Sequence, residues 1–145
     1  MLIRAARLRC RELGVGRSLQ STIAMGSQMR LPDAGDIAWV ELDDTRGTEQ
    51  SGRRPALILT SRSYHETSRR TIICPITRRL GDWPTNVDLP EGLKTEGTVL
   101  VDQIHWIDRQ QCLFDFIETV PREVLTEVHA KLAALLDINF DGVPG

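Results

Sequence analysis

The chain has 145 residues, with 18 Lys and Arg against 20 Asp and Glu, 3 His and 3 Cys. That length suits one domain; no run approaches the ~18 apolar residues that span a bilayer, and the basic start lacks the apolar core and small-residue cleavage site of a secretory leader. An odd cysteine count without C-x-x-C spacing argues against a disulfide framework and structural zinc, so Cys10, Cys74 and Cys112 are expected as reduced thiols in a cytoplasmic protein.

Residues 1–30 carry six Arg against Glu12 and hold no sustained apolar face. Too little apolar surface is available there to offset chain entropy. The segment reads as a disordered basic extension or an overlong start-site assignment, with an RNA-binding arm as the sharper alternative. From residue 31 the pattern turns to strands: Asp36–Leu42, Arg54–Thr60, Thr71–Ile76, Asn86–Leu89, Thr98–Ile104 and Cys112–Glu118. Each is short, apolar or alternating, and bounded by turn chemistry. Pro55 must sit at a strand start or an edge, because it cannot donate to the ladder. The last element is a helix: Pro121 suits its first turn, Glu123 its N-terminal dipole. Val124, Leu125, Val128, Leu132, Leu135 and Leu136 form one apolar stripe, expected to cap an open side of the sheet or meet a second subunit. The domain is placed at 31–138, with a tail over 139–145. Six strands without interleaved long helices predict a mainly β, α+β fold built on an antiparallel barrel or small sandwich.

Charge is unevenly distributed. Residues 46–79 carry eight Arg against Glu49 and Glu66, whereas residues 80–145 hold four basic and twelve acidic side chains. A basic middle within an acidic protein fits a local polyanion site, and solvated surface arginines fit it equally. His65, His105 and His129 are isolated in sequence, no Gly-rich loop opens a helix, and no G-x-S-x-G elbow occurs, so no metal ligand set and no cofactor is expected. The segment Gly47–Pro55 places Glu49 in a glycine-bounded loop five residues before Arg54. A carboxylate and a guanidinium meeting at a strand mouth are the two groups that metal-free RNA cleavage needs. A base takes the ribose 2′-hydroxyl proton, and a fixed cation stabilises charge on the phosphorane oxygens. A turn-stabilising Glu–Arg ion pair is the plainer alternative. Arg53 lies in this segment, Arg78 and Arg79 lie further along the same basic middle, and all three are assigned to RNA phosphate contacts. Trp83 is a candidate for stacking on a base, while Trp39 and Trp106 are placed in the core.

The stretch PDAGDIAWVELDDTRGTEQSGRRPALIL resembles the N-terminal signature of the MazF/PemK toxins: a Gly-Asp-x-x-Trp strand, a G-x-E-Q-x-G-x-R-P loop and an apolar strand. Cys74-Pro75-Ile76-Thr77 stands where that family has its P-x-T strand end, and Gly97 with Asp102-Gln103 where it has G-x-x-x-x-D-Q. The likeness runs from about Pro32 to Leu136. It implies an SH3-like antiparallel β-barrel of the PemK/CcdB type with a C-terminal amphipathic helix. It further implies a homodimer that cleaves single-stranded mRNA sequence-specifically without metal, inhibiting translation as the toxin of a type II toxin–antitoxin system. The partners it implies are single-stranded RNA and a cognate antitoxin, acidic and partly disordered, which can bring the toxin to operator DNA.

By the same resemblance, Arg54 binds the scissile phosphate and can also donate a proton, Thr77 supplies a hydroxyl, and Glu49 or Asp102 is the base. Asp102 and Gln103 are assigned to RNA binding. One branch of the family has a histidine just before the Glu and an arginine two residues before the Asp. Thr48 and Leu100 stand there in this chain, which favours a Glu49/Arg54/Thr77 site. The competing function is a CcdB-like toxin that binds a protein target such as DNA gyrase and cleaves nothing. Retention of all three residues argues against it.

Overall fold

A computed structural model describes residues 30–42, 52–78, 82–112 and 115–139. The expectations of an extension over 1–30 and a tail over 139–145 fall almost wholly outside those residues. The described elements are β1 (Asp36–Leu42), β2 (Gly52–Ile58), α1 (Arg62–Thr67), β3 (Arg70–Thr77), β4 (Asn86–Asp88) and β5 (Thr98–Leu100), followed by a single 3-10 turn (Val101–Gln103), β6 (His105–Asp108), β7 (Asp115–Thr119) and α2 (Arg122–Leu135). The strands join in the order β4-β5-β3-β2-β1-β7, with β6 also paired to β3, and every strand pairing is antiparallel. The mainly β class with its terminal helix is as expected. The sheet, however, is not closed by a bridge between β4 and β7 among the described residues.

Both faces of the central strands are buried, which explains their nearly continuous apolar runs. Ile37, Leu57, Cys74, Ile76 and Val99 point to one side, where Val120, Val124 and Val128 bring α2 over them. Alternate residues Ala38, Val40, Ala56, Ile58 and Ile73 point to the other, with Ile107 and Cys112. The helix stripe tapers: Val124 and Val128 are buried and Leu132 is packed against the core, while Leu135 and Leu136 are exposed. No helix among the described residues is long and apolar enough to cross a membrane.

The expected strand Thr98–Ile104 is broken in two. Residues 76–77 of β3 pair with β5 and residues 70–73 with β6, so the chain must turn between them. Val99 and Val101 are both buried across that break, so their alternation disguises it. The last strand begins at Asp115, because Cys112 donates its N–H to the Asp108 carbonyl in a turn. Helix α1, unforeseen, has six residues, a Ser61 N-cap and one buried side chain, His65, which is too little for a periodic signal. Cys74 is free and buried, but Cys112 is disulfide-bonded, which corrects the expectation of three reduced thiols.

The landmark Gly35-Asp36 has a structural reason. Gly35 adopts φ +94° and bonds through its N–H to Ile58 and through its carbonyl to Val120. Buried Asp36 then accepts from the Asp33 N–H at 2.9 Å and the Thr119 hydroxyl at 2.8 Å. A second carboxylate clamp ties the 90–97 loop down, since Glu118 accepts the Lys94 and Thr95 N–H groups at 3.0 and 2.7 Å. Partial burial pushes its carboxyl up, but those backbone bonds outweigh it and hold the group below its ordinary value of 4.5. A carboxyl lowered on folding stabilises the fold above its unfolded value and stops doing so as pH falls through its folded value. Glu118→Gln should therefore cost about 1–2 kcal/mol at neutral pH, the scale of a bond to a charged group. In urea melts the gap to wild type should close as pH falls well below 4.5; a gap unchanged down to pH ~3 would exclude the ionised clamp.

Candidate active site

The site is assembled by strand register. β2 and β3 pair with Ala56 opposite Pro75 and Leu57 opposite Cys74. Continuing that register by two residues sets Arg54 opposite Thr77. On the far side of β3, Thr77 pairs with Thr98 of β5, and Thr98 with Asp88 of β4. Thr77, Thr98 and Asp88 thus form one polar row across three strands, and the continued β2–β3 register adds Arg54 at its end. Directly opposite residues share a face of the sheet, so the Arg54 and Thr77 side chains leave on the same side. Thr98 is fully buried and donates its hydroxyl to Asp88 at 2.8 Å. Thr98 and Asp88 were not singled out from sequence; only the pairing reveals that they extend the row.

Gly97 permits this arrangement. Its φ is +135°, and a Cβ added there would lie 2.2 Å from the Thr77 carbonyl oxygen. The start of β5 can therefore approach the strand end bearing Thr77 only without a side chain. Gly97→Ala should destabilise the fold by more than about 3 kcal/mol, combining backbone strain with a clash against main chain. Gly92 also has positive φ, at +97°, but a Cβ there meets nothing within 4 Å. Gly92→Ala should cost only the left-handed penalty of about 1–2 kcal/mol. Denaturant unfolding of the two variants checks this, and equal losses would mean that the Thr77 approach does not matter.

Other expected site residues are placed differently. Arg53 alternates to the opposite face of β2 from Arg54; it pairs with Asp115 and lies 5.8 Å over the Trp39 ring. The structure does not bring it to the Arg54–Thr77 row. Arg78 is exposed immediately after Thr77. Glu49 and Arg79 lie outside the described residues. Asp102 and Gln103 are exposed on the 3-10 turn, four and five residues beyond Thr98. Burial, helped by the nearby Asp102 carboxylate, pushes the Cys74 thiol up to about 12. The Cys74 side chain lies on the face opposite to Thr77.

Trp83 is 61% exposed, as a stacking residue requires. Trp106 is 57% and Trp39 37% exposed, which corrects their assignment to the core. Arginines cover these rings in place of apolar neighbours, with Arg70 lying 4.8 Å over Trp106. His65 is no ligand: its ring nitrogens meet the Pro32 carbonyl at 2.6 Å and the Thr60 hydroxyl at 2.7 Å, and burial holds its pKa below the ordinary value. Arg109, also overlooked in sequence, donates to the His65 and Ser68 carbonyls and so closes the end of α1. Among the described residues no three His, Cys, Asp or Glu side chains gather into a metal-binding group. What the row offers chemically is a guanidinium and a hydroxyl on one face, which together suit a phosphodiester.

Residues 33–136 match the family described as PemK-like, MazF-like toxin of type II toxin-antitoxin system. The chain is 33% identical over 106 residues to the endoribonuclease toxin MazF of Escherichia coli (strain K12), covering 73% of this chain and 95% of that protein. It is 30% identical over 111 residues to the endoribonuclease EndoA of Bacillus subtilis (strain 168), covering 71% and 95%. A crystal structure of MazE–MazF from Deinococcus radiodurans superposes with a TM-score of 0.68 at 33% identity, covering 76% of this chain and 99% of that one.

Proposed function

This chain belongs to the PemK-like, MazF-like toxin family of type II toxin–antitoxin systems, and from that membership we propose that it is an endoribonuclease cutting single-stranded mRNA at the Arg54–Thr77 row. The observation that supports the proposal is the β2–β3 register, with Ala56 opposite Pro75, which continued by two residues brings Arg54 and Thr77 to one face. Arg54 grips two phosphate oxygens and stabilises the charge that builds on them; Thr77 donates a hydrogen bond to one of them. A carboxylate takes the proton from the 2′-hydroxyl, whose oxygen attacks phosphorus. The new P–O2′ bond replaces the P–O5′ bond, and the departing oxygen is protonated. The products are a 2′,3′-cyclic phosphate and a 5′-hydroxyl.

Glu49 is the favoured base. In the sequence it stands five residues before Arg54, in a loop bounded by Gly47 and Gly52. Asp102, exposed beside Gln103 on the 3-10 turn, is assigned with it to positioning RNA. Arg78, Arg79 and Trp83 follow β3 in sequence and serve the flanking nucleotides. The protein is read as a cytoplasmic homodimer, with exposed Leu135, Leu136 and Ile138 offering apolar surface away from the row. An antitoxin partner fits the complex of MazF with MazE in the Deinococcus radiodurans structure. Its acidic, disordered tail would place carboxylates where RNA phosphates lie, and its DNA-binding part would bring the pair to operator DNA.

Purified full-length protein incubated with single-stranded RNA in excess EDTA tests the reading. Discrete fragments in EDTA are expected. Intact RNA that is cut only when a divalent cation is restored would overturn the metal-independent mechanism, and intact RNA under both conditions would favour a CcdB-like binding toxin.

A further inference from the structure

The turn carrying Asp102 and Gln103 has a fastening of its own. It is one 3-10 turn, Val101–Gln103, with no side-chain cap at its N-terminus. Val101 is fully buried and anchors its first residue, leaving Asp102 and Gln103 exposed. At the other end, the Gln103 carbonyl lies 2.8 Å from Nδ1 of His105. A carbonyl can only accept, so Nδ1 carries the proton. Nε2 is buried and meets no hydrogen-bond partner among the described residues. A second proton there would be a buried charge with nothing to receive its hydrogen bond, so the ring rests as the neutral Nδ1–H tautomer. Burial accordingly keeps its pKa below the ordinary value, although the bond to Gln103 pulls the other way. Strand β6 places the ring, since His105 pairs with Ile73 of β3.

We propose that His105 is a positioning residue: its Nδ1–H bond to the Gln103 carbonyl holds the Val101–Gln103 turn so that Asp102 and Gln103 meet RNA in a single geometry. This rests on reading those two residues as RNA contacts. Because its one free nitrogen is buried, His105 acts through the turn and not on RNA itself. A carbonyl at the end of a 3-10 turn has no partner within the turn. Without His105 it must find water, and the turn then samples several positions.

The test is steady-state cleavage of a single-stranded RNA by the full chain, comparing wild type with Gln103→Ala, His105→Leu, His105→Asn and His105→Gln. The asparagine amide reaches the Nδ1 position and keeps the donor, whereas the glutamine amide sits nearer Nε2. Gln103→Ala should raise KM. His105→Leu should raise KM about fivefold, the scale of one hydrogen bond, with kcat within about twofold. His105→Asn should return KM to near wild type, and His105→Gln should not. If Gln103→Ala leaves KM unchanged, the RNA-contact reading fails and the proposal with it. If Gln103→Ala raises KM while His105→Leu does not, the RNA reading stands and the positioning role is overturned. Should His105→Leu fail to fold, equal KM values for the Asn and Gln variants overturn it instead.

Discussion

Arg54→Ala is expected to lower kcat by at least about a hundredfold, while Arg78→Ala lowers it by less than about tenfold. The difference follows from where each cation sits. Arg54 lies within β2, where pairing with Val40 of β1 holds its backbone, and the continued β2–β3 register turns it toward Thr77. A cation held in that way is in place before charge develops on the phosphorane, and its removal costs about 3–4 kcal/mol of transition-state stabilisation. Arg78 is exposed just past the end of β3. It can lower the energy of bound RNA and transition state alike, so its loss should raise KM and flatten the salt dependence by about one phosphate contact. Arg54→Lys is informative as well, because it keeps the charge and loses the planar fork. It should recover only part of the activity. Equal, small losses from Arg54→Ala and Arg78→Ala, with folding intact by melting temperature, would remove Arg54 from the chemistry.

The strands that carry this site were legible because both of their faces are buried. Residues 36–42 read as a strand and form β1 with the same bounds. Arg54 was legible beside Glu49 in the glycine-bounded loop, whereas Thr77 was legible only through the family resemblance; nothing in their spacing of 23 residues shows how the β2–β3 register relates them. Register is a tertiary property, decided by which apolar residues share a face. For the same reason Thr98 and Asp88 escaped notice. The break after Leu100 was hidden because Val99 and Val101 are buried on both sides of it, and a period-2 pattern cannot report that the pairing partner has changed. Trp106 was misplaced by hydrophobicity alone. A large aromatic ring on β6 is covered by the Arg70 guanidinium, a contact between strands that no local pattern encodes. Arg53 shows the opposite hazard. Adjacent in sequence to Arg54, it is sent to the other face by strand alternation and meets Asp115, from 62 residues further along the chain.

The central claim is that the ribose hydroxyl beside the scissile phosphate is the nucleophile. It is tested most directly by a pair of RNA oligonucleotides identical but for one 2′-deoxy nucleotide at the mapped cut site. Both should bind, since phosphate contacts by Arg54 and the flanking arginines do not involve that hydroxyl. Only the all-ribose strand should be cut, with a 2′,3′-cyclic phosphate on the upstream fragment and a 5′-hydroxyl on the downstream one, identified by mass. Without the 2′-oxygen there is no internal nucleophile, and the intramolecular advantage that drives the step is lost entirely. Cleavage of the 2′-deoxy strand at the same position, or a 5′-phosphate on the downstream product, would mean that an external nucleophile attacks phosphorus and would contradict the account.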